Sequence, residues 1–543
     1  AVAVTEQGII NEAHRRGMVV PDRVRREPGS DPAAGAYVAY PKKGLHDWIG
    51  SIDINSLYPS VIRALNMANE TIVGQLRPIE TDAQIEAKMN QKITFAGAWE
   101  GEFGTLEYQA VMRKDRAQSI TIDWETGESN ILSAAEVYEL IFNNDQPWFL
   151  SANGTIFTHE FAGVIPGLLE RWYAERKELQ AKMRQAIAAG NKTEQEFWAK
   201  RQLVKKINLN SLYGAILNPG CRFFDIRIGQ STTLTGRCIT KHMGAKTNEI
   251  ITGEYDYKGP SIIYGDTDSV YFSAYESLKS DIDAGKIPWT NDSVVQLYDS
   301  VAEEVNKSFP TYMRQAFNCP PTYGKIIAGG RELVGSKGLF ITKKRYAIKI
   351  YDLEDEKVDK IKAMGLDLKR SDTPGYIQNF LSDILDKVLT GTQEEDIMNF
   401  IADFRLEFKK RPGWEKGSPR RVNKLTEYHS REKRKGKVNM PGHVRAAINW
   451  NTLKKVYNDR YSMDIMDGQK CIVCKLKHNP MGYTSIAIPT DELRVPEWFK
   501  ELPFDDAEME ATLINKKLDN LIGVLEWDIG NSEADNTFDK LFA

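Results

Sequence analysis

The stretch YGDTDSVYF, residues 264–272, sets two carboxylates one residue apart between two apolar runs. Taking an ionised carboxylate out of water is expensive unless a partner compensates it, and Asp266 and Asp268 flank the same short turn. A cation is the obvious partner. SIIY runs into the turn and SVYF leaves it, with Gly265 ahead of the acids, so the stretch predicts strand, tight turn, strand.

A further acid stands in SIDINSLYPSVIRAL, which predicts a strand, SIDI, running through a turn into a helix after Pro59. Proline fixes the first-turn backbone and needs no amide donor there. Asp53 then sits at the end of a strand. Farther along, GLLERWYAERKELQAKMRQAIAAGN and EQEFWAKRQLVKKINLNSLYGAI are separated by Gly190 and Asn191, a good helix stop. They predict an antiparallel helical hairpin with basic residues over much of its surface. Gln202, Lys206, Asn210 and Tyr213 follow spacings of four, four and three and share a face, as Arg176 and Gln180 do on the first helix. Such spacing describes a solvated face as readily as a binding one. In NSLYG, Asn210, Tyr213 and Gly214 suggest close approach to a ligand, or Gly214 simply ends the helix.

A chain of 543 residues, 41% of them hydrophobic, can bury sizeable cores in three or four folding units. Its five cysteines make no disulfide framework, so a reducing compartment is expected. No apolar run approaches the roughly 20 residues of a membrane span, and AVAVTEQGIINEAHRR lacks a signal peptide's basic start and apolar core. The missing initiating Met points to processing or excision from something longer. Neither repeats nor low-complexity tracts stand out.

The formal net charge of -3 hides two opposed regions. Between Lys409 and Arg445, 13 Lys or Arg face 3 acids, while from Asp491 to Ala543, 5 basic residues face 14 acids. The basic run is either a solvated face or a surface that tracks phosphates; its Gly, Pro and Ser breaks suit a loop-rich surface following a backbone. Such a stripe supplies affinity and register with little sequence readout. CIVCKLKH offers Cys471, Cys474 and His478 at a spacing that opens a zinc site, but no fourth ligand follows and CIVCKL alternates as a strand does. His443, in the basic region, either contacts a phosphate or makes an ordinary polar hydrogen bond.

Taken in order, DINSLYPS, KINLNSLYG and YGDTDS resemble the three polymerase motifs of family B DNA polymerases, and ITKKRYAIKI resembles the lysine-arginine-tyrosine segment beyond them. Each short motif alone is weak; the ordered set is specific, and the likeness runs from about Gly35 to the end of the chain. GAYVAYP, NMANETI, NGTIFTHEFAGVIP, GRELVGSKGLFITKKRYA and KAMGLDLKRSDTP look especially like the T4-like bacteriophage branch.

The resemblance implies an α+β right-hand polymerase with a mixed β-sheet palm, helical-hairpin fingers and a mainly helical thumb. About residues 1–160 would form a lead-in and first palm segment, 161–214 the fingers, 215–365 the second palm segment and 366–543 the thumb. Asp53 and Asp268 would be the principal metal carboxylates, with Asp266 a weaker or indirect contributor, Glu332 in GRELVG approaching the cluster, and the peptide carbonyl of Ile54 facing the triphosphate metal. Ser56 and Leu57 would bind substrate, and Tyr58, beneath the incoming sugar, would exclude the ribose 2′-hydroxyl. Arg176 and Lys206 would grip the triphosphate, Lys206 also serving catalysis, with Gln180 a weakened or replaced phosphate contact, and Asn210 and Tyr213 would help form the nascent base-pair pocket.

Gly214, Thr267, Lys343, Lys344, Arg345 and Tyr346 would meet primer or template near the reacting end. The basic run would follow the DNA through Lys409, Lys410, Arg411, Arg420, Arg421, Arg434, Lys435, Lys437, His443 and Arg445. The implied reaction is nucleotidyl transfer to a primer 3′ end with pyrophosphate release. Two Mg²⁺ ions, with Mn²⁺ able to substitute, would serve it about 3.5–4 Å apart. Primer-template DNA and deoxynucleoside triphosphates are the expected partners, and bacterial cytoplasm the expected compartment, with no membrane. An RNA-templated polymerase is an alternative, since metal chemistry does not choose the template. So is a non-catalytic DNA-binding assembly subunit, against which Asp53, Asp268, Arg176 and Lys206 all speak.

Some features depart from the family pattern. The lysine often found four residues after the fingers arginine is Gln180 here, and Lys182, six positions on from Arg176, falls on another side of the helix. Residues from about Leu76 to Asn144 look expanded, either a surface insertion or a contact for DNA or a partner. Only 52 residues precede Asp53, too few for the proofreading 3′-5′ exonuclease domain. The expectation is polymerisation without hydrolysis of mismatches, a separate exonuclease chain being one possible partner. In NTFDKLFA, Phe538, Leu541 and Phe542 form an apolar patch that either packs on the thumb or inserts into a sliding clamp.

Overall fold

Residues 2–24, 35–78, 112–113, 115–436 and 438–529 are described by the computed structural model. They form a mixed α/β fold in two units, one drawn from Ala1–Pro41, Trp48–Val334 and Asp352–Glu356, the other from Lys42–Asp47, Gly335–Tyr351 and Lys357–Ala543.

In the first unit, helix α1 (Val2–Arg15) packs against a helical hairpin made of α2 (Val164–Ala188) and α3 (Lys192–Ile216). The connection is short because Gly190 adopts φ +66 and Asn191 caps α3, its side chain accepting the Glu194 amide at 3.2 Å. Apart from Ala186, the buried residues of the hairpin helices lie at its root. Val164, Ile165, Leu168, Leu169 and Trp172 line one helix there, and Leu209, Leu212, Ala215 and Ile216 the other.

The root is tied to α1 by charge as well as by packing. Glu12, fully buried, is met by Arg15 at 2.8 Å, Arg16 at 3.0 Å and Arg171 of α2 at 2.9 Å. Burial works to raise its pKa, but the hydrogen bonds from Arg15 and Arg16 and the charge of Arg171 outweigh it and hold the carboxyl low. Arg16 also donates to the carbonyls of Ala162 and Gly163, and Gly167 leaves it room: a Cβ there would lie 1.9 Å from an Arg16 guanidinium nitrogen.

Strands β1 (Gly44–Ile54), β2 (Ile262–Asp266), β3 (Ser269–Phe272) and β4 (Gly329–Thr342) follow the order β4–β1–β3–β2 in this unit. β1 and β3 are antiparallel, with Ile52 opposite Val270 and Asp53 opposite Ser269. Helix α4 (Ile226–Thr252), buried along most of its length, packs on β2 and β3. A five-stranded antiparallel sheet, ordered Ser129–Ser133, Ser119–Trp124, Ile72–Pro78, Thr155–Thr158, Trp148–Leu150, joins helix Ala134–Phe142 around Leu76, Ile120, Ile122, Val137 and Ile156. The described part of the expanded region near 76–144 therefore shares a core with the strands that flank it.

The second unit holds the other parts of β1 and β4 with β5 (Arg345–Leu353) and β6 (Glu356–Met364), in the order β6–β5–β4–β1. Leu339 and Ala347 close a core with helices Gly375–Leu389 and Glu394–Lys410, where the Phe380 and Phe404 rings stack at 3.7 Å. Another core surrounds Trp450 of helix Gly442–Val456, against a small sheet of Ser418–Arg421, Lys470–Lys475 and Ser485–Pro489. CIVCKL lies in that sheet. Cys471 and Cys474 are buried free thiols, each pushed up to about 12 by burial. Among the described residues no helix is long and apolar enough to cross a membrane.

Because the Glu12 pKa lies below its unfolded value, its contribution to stability is present above the unfolded pKa and is lost as pH falls through the folded one. Glu12→Gln should cost about 2–3 kcal/mol at neutral pH, less than for a fully buried pair because Arg15 and Arg171 reach solvent. Urea unfolding checks this, and the gap to the wild type should shrink once pH falls below the ordinary glutamate value of 4.5.

Candidate active site

The strands that carry the acids meet at one end of the sheet. The Ile54 amide donates to the Asp268 carbonyl at 2.8 Å, so the chain leaving β1 runs alongside the turn between β2 and β3. Gly329, which opens β4, approaches from the other side; a Cβ there would sit 3.0 Å from the Asp53 carbonyl oxygen. Beyond Ile54 the chain turns through Ser56, φ +51, into helix Leu57–Ala64, and the Ser60 hydroxyl ties that turn by donating to the Asn55 carbonyl at 2.9 Å.

Asp53 and Asp268 line a cavity of about 760 Å³ with Ser56, Leu57, Tyr58, Thr267 and Glu332. The hairpin contributes Arg176 and Gln180 from α2 and Lys206 and Asn210 from α3. One wall is thus acidic and the facing helices carry cations. Tyr213 supports this wall through Tyr58, their ring centroids 4.5 Å apart, and Gly214 is exposed beside it on α3. Burial and the charges of Asp268 and Asp266 push Tyr58 up to about 12 against the opposing pull of Arg237, which keeps its hydroxyl protonated at neutral pH. Burial and Tyr58 raise Tyr213 likewise.

The acids named from sequence differ in placement. Asp266 is not among the cavity-lining residues; its carboxylate accepts from the Tyr264 hydroxyl at 3.2 Å and the Thr267 hydroxyl at 2.9 Å. Glu332 reaches the cavity while accepting from the Ser51 hydroxyl at 3.2 Å. The Ile54 side chain is fully buried. Among the described residues no group of three or more His, Cys, Asp or Glu stands ready to hold a metal ion.

The cavity also gathers residues that sequence reasoning missed. Lys177 and Arg184 of α2 line it, and Arg184 follows Arg176 and Gln180 at steps of four, on one helical face. That spacing was the available signal. Lys182 instead lies 4.9 Å over the Trp198 ring. Arg331 is the less foreseeable member. Its buried guanidinium is held by Asp299 at 2.7 Å, Asp352 at 2.5 Å and Asp355 at 2.7 Å; burial works to lower its pKa, but the hydrogen bonds and charges of Asp299 and Asp352 raise it.

In the second unit, Lys343 and Lys344 make the turn from β4 to β5, and Arg345 donates to the Asn520 carbonyl at 3.3 Å. Tyr346 is a core residue, stacked on Phe340 at 5.5 Å. Lys409, Lys410, Arg420, Arg421, Arg434 and Lys435 are exposed. Arg411 covers the Tyr376 ring at 4.2 Å, Arg420 pairs with Asp372 at 3.0 Å, and Arg445 pairs with Glu432 at 2.6 Å. His443 is half-buried, its pKa lowered by burial and then by Arg420. Lys437, Phe538, Leu541 and Phe542 lie outside the described residues.

The profile of DNA polymerase family B matches residues 3–313. The DNA-directed DNA polymerase of Enterobacteria phage T4 is 26% identical over 530 residues, covering 89% of this chain and 54% of the relative. That of Escherichia phage RB69 is 26% identical over 499 residues, covering 89% and 53%. The DNA polymerase delta catalytic subunit of Mesocricetus auratus is 24% identical over 387 residues, covering 70% and 27%. The chain belongs to family B of the DNA polymerases. It spans about half the length of the two phage relatives.

Arg331→Met should destabilise the protein by about 3–5 kcal/mol, since it strands the buried Asp352 carboxylate without its counter-charge. Asp355→Asn, at a largely exposed carboxylate, should cost at most about 1 kcal/mol. Denaturant unfolding of both variants checks the contrast.

Proposed function

We propose that this chain is a template-directed DNA polymerase that adds deoxynucleotides to a primer 3′ end and releases pyrophosphate. The observation that carries the reading is the single cavity in which Asp53 and Asp268, at adjoining strand ends, face Arg176, Arg184 and Lys206 from the hairpin. On this reading the hairpin acts as fingers, the sheet bearing the acids as palm, and the region from 366 as thumb.

Family B polymerases use Mg²⁺, and the residues here fit it. Asp53 and Asp268 offer hard oxygen donors beside open volume, the donor economy of an ion that keeps several waters and takes few protein carboxylates. When bound, Mg²⁺ would orient the attacking hydroxyl and stabilise the leaving phosphate charge. The chain's own groups do the rest. Arg176 presents a multi-donor fork to phosphate oxygens and Lys206 a compact charge. Arg184 supplies, one turn beyond Gln180, a cation on the face where relatives often carry a lysine. Tyr58, a neutral ring held between Tyr213 and α4, forms the floor that a ribose 2′-hydroxyl would strike.

Primer extension tests this. Asp53→Asn and Asp268→Asn should each lower the rate of single-nucleotide addition by about 10²–10³-fold or more while sparing primer-template binding. Arg184→Ala should raise KM for the nucleotide by about tenfold with a smaller effect on kcat. Normal extension by both Asp variants would remove the two carboxylates from the reaction, and matched DNA and RNA templates in the same assay decide the template.

A further inference from the structure

The turn between β2 and β3 passes through a backbone conformation that threonine does not choose. Thr267 has φ +58, in the left-handed region, where a branched Cβ crowds the backbone and which two-residue hairpins normally fill with Gly, Asn or Asp. Residues in such conformations persist where their surroundings over-determine them, and they cluster at functional sites. Here the Thr267 amide donates to the Tyr37 carbonyl at 2.7 Å, and the Asp268 amide to the Asp266 carbonyl at 2.7 Å. The Thr267 hydroxyl is committed to Asp266 at 2.9 Å.

One further contact comes from a distant element. The Thr240 hydroxyl, fully buried on α4, donates to the Thr267 carbonyl at 2.7 Å. A helical threonine ordinarily bonds back four residues within its own helix. Thr232 does so to Ile228 at 2.7 Å, Thr233 to Gly229 at 3.1 Å and Thr247 to Met243 at 2.7 Å, all on this same helix. A hydroxyl has one proton to give, and Thr240 gives it across to the turn. The carbonyl it holds belongs to the peptide that enters Asp268, whose own carbonyl receives the Ile54 amide next to Asp53.

We propose that Thr240 is a positioning residue. By holding the Thr267 carbonyl it fixes the 267–268 peptide plane and so sets the direction in which the Asp268 carboxylate meets the cavity beside Asp53. The consequence for catalysis rests on the nucleotidyl-transfer reading; the anchoring of the turn does not.

Thr240→Val keeps the shape and removes the hydroxyl, whereas Thr240→Ser keeps the hydroxyl. In amide hydrogen exchange, the valine variant should speed exchange in peptides covering 264–272 by about tenfold or more and leave the hairpin peptides unchanged, with serine restoring protection. In single-nucleotide addition, the valine variant should lower kcat roughly 10–100-fold while KM for the nucleotide stays near the wild-type value, again with rescue by serine. Unchanged exchange at the turn would overturn the anchoring, whatever the activity. A loosened turn with unchanged kcat would overturn the link to Asp268. If the wild type adds no nucleotide, the proposed function fails and the exchange measurement still decides the anchoring. Thr240→Ala, which also removes the hydroxyl, carries the same expectations if the valine variant does not fold.

Discussion

The antiparallel pairing of β1 with β3 is the constraint on which the site depends. Asp53 stands opposite Ser269, and the Ile54 amide then meets the Asp268 carbonyl, so acids more than two hundred residues apart in sequence arrive at one strand end. Side chains alternate along a strand, so a slip of one residue would turn Asp53 to the other face of the sheet. Register here therefore sets which face of the sheet Asp53 occupies. The close approach of Gly329 to the Asp53 carbonyl, where a Cβ would intrude, fixes it from the neighbouring strand.

Around that pair the unit manages charge in two different ways. Glu12 and Arg331 are buried among opposite charges and serve the fold: one ties α1 to the hairpin root, the other gathers Asp299, Asp352 and Asp355. Asp53 and Asp268 border an open cavity faced by the cations of α2 and α3. A carboxylate enclosed by guanidinium groups has its counter-charge built in, whereas one that borders open volume can accept it from a ligand. The Asp266 oxygens, only two residues from Asp268, accept instead from the hydroxyls of Tyr264 and Thr267.

Much of the local structure was legible in sequence. The strand-turn-strand of YGDTDSVYF, the helix following Asp53 and the stop at Gly190 and Asn191 each rest on short-range chemistry, namely apolar runs, proline at a helix start and glycine at positive φ. The shared face of Arg176 and Gln180 was visible because helical period is local, and the same rule extended to Arg184. The alternation in CIVCKL likewise pointed to a strand, which is what the chain forms. Less legible was the packing of Tyr346 into a core, since its position after three basic residues says nothing about which way a β5 side chain points. The assembly of the CIVCKL strand into a small sheet was also less legible, since its partner Ser418–Arg421 is short and lies about fifty residues earlier in the chain.

By itself, then, the sequence determined which residue types were available for the chemistry and which short elements carry them, because propensity, period and turn preference act over a few residues. Tertiary structure decided which acids share a cavity, that Arg331 is enclosed by three carboxylates, and that Thr240 reaches across to hold the turn at Thr267. Those outcomes depend on strand register and helix packing between segments far apart along the chain, a long-range balance of burial and hydrogen bonding that no short stretch encodes.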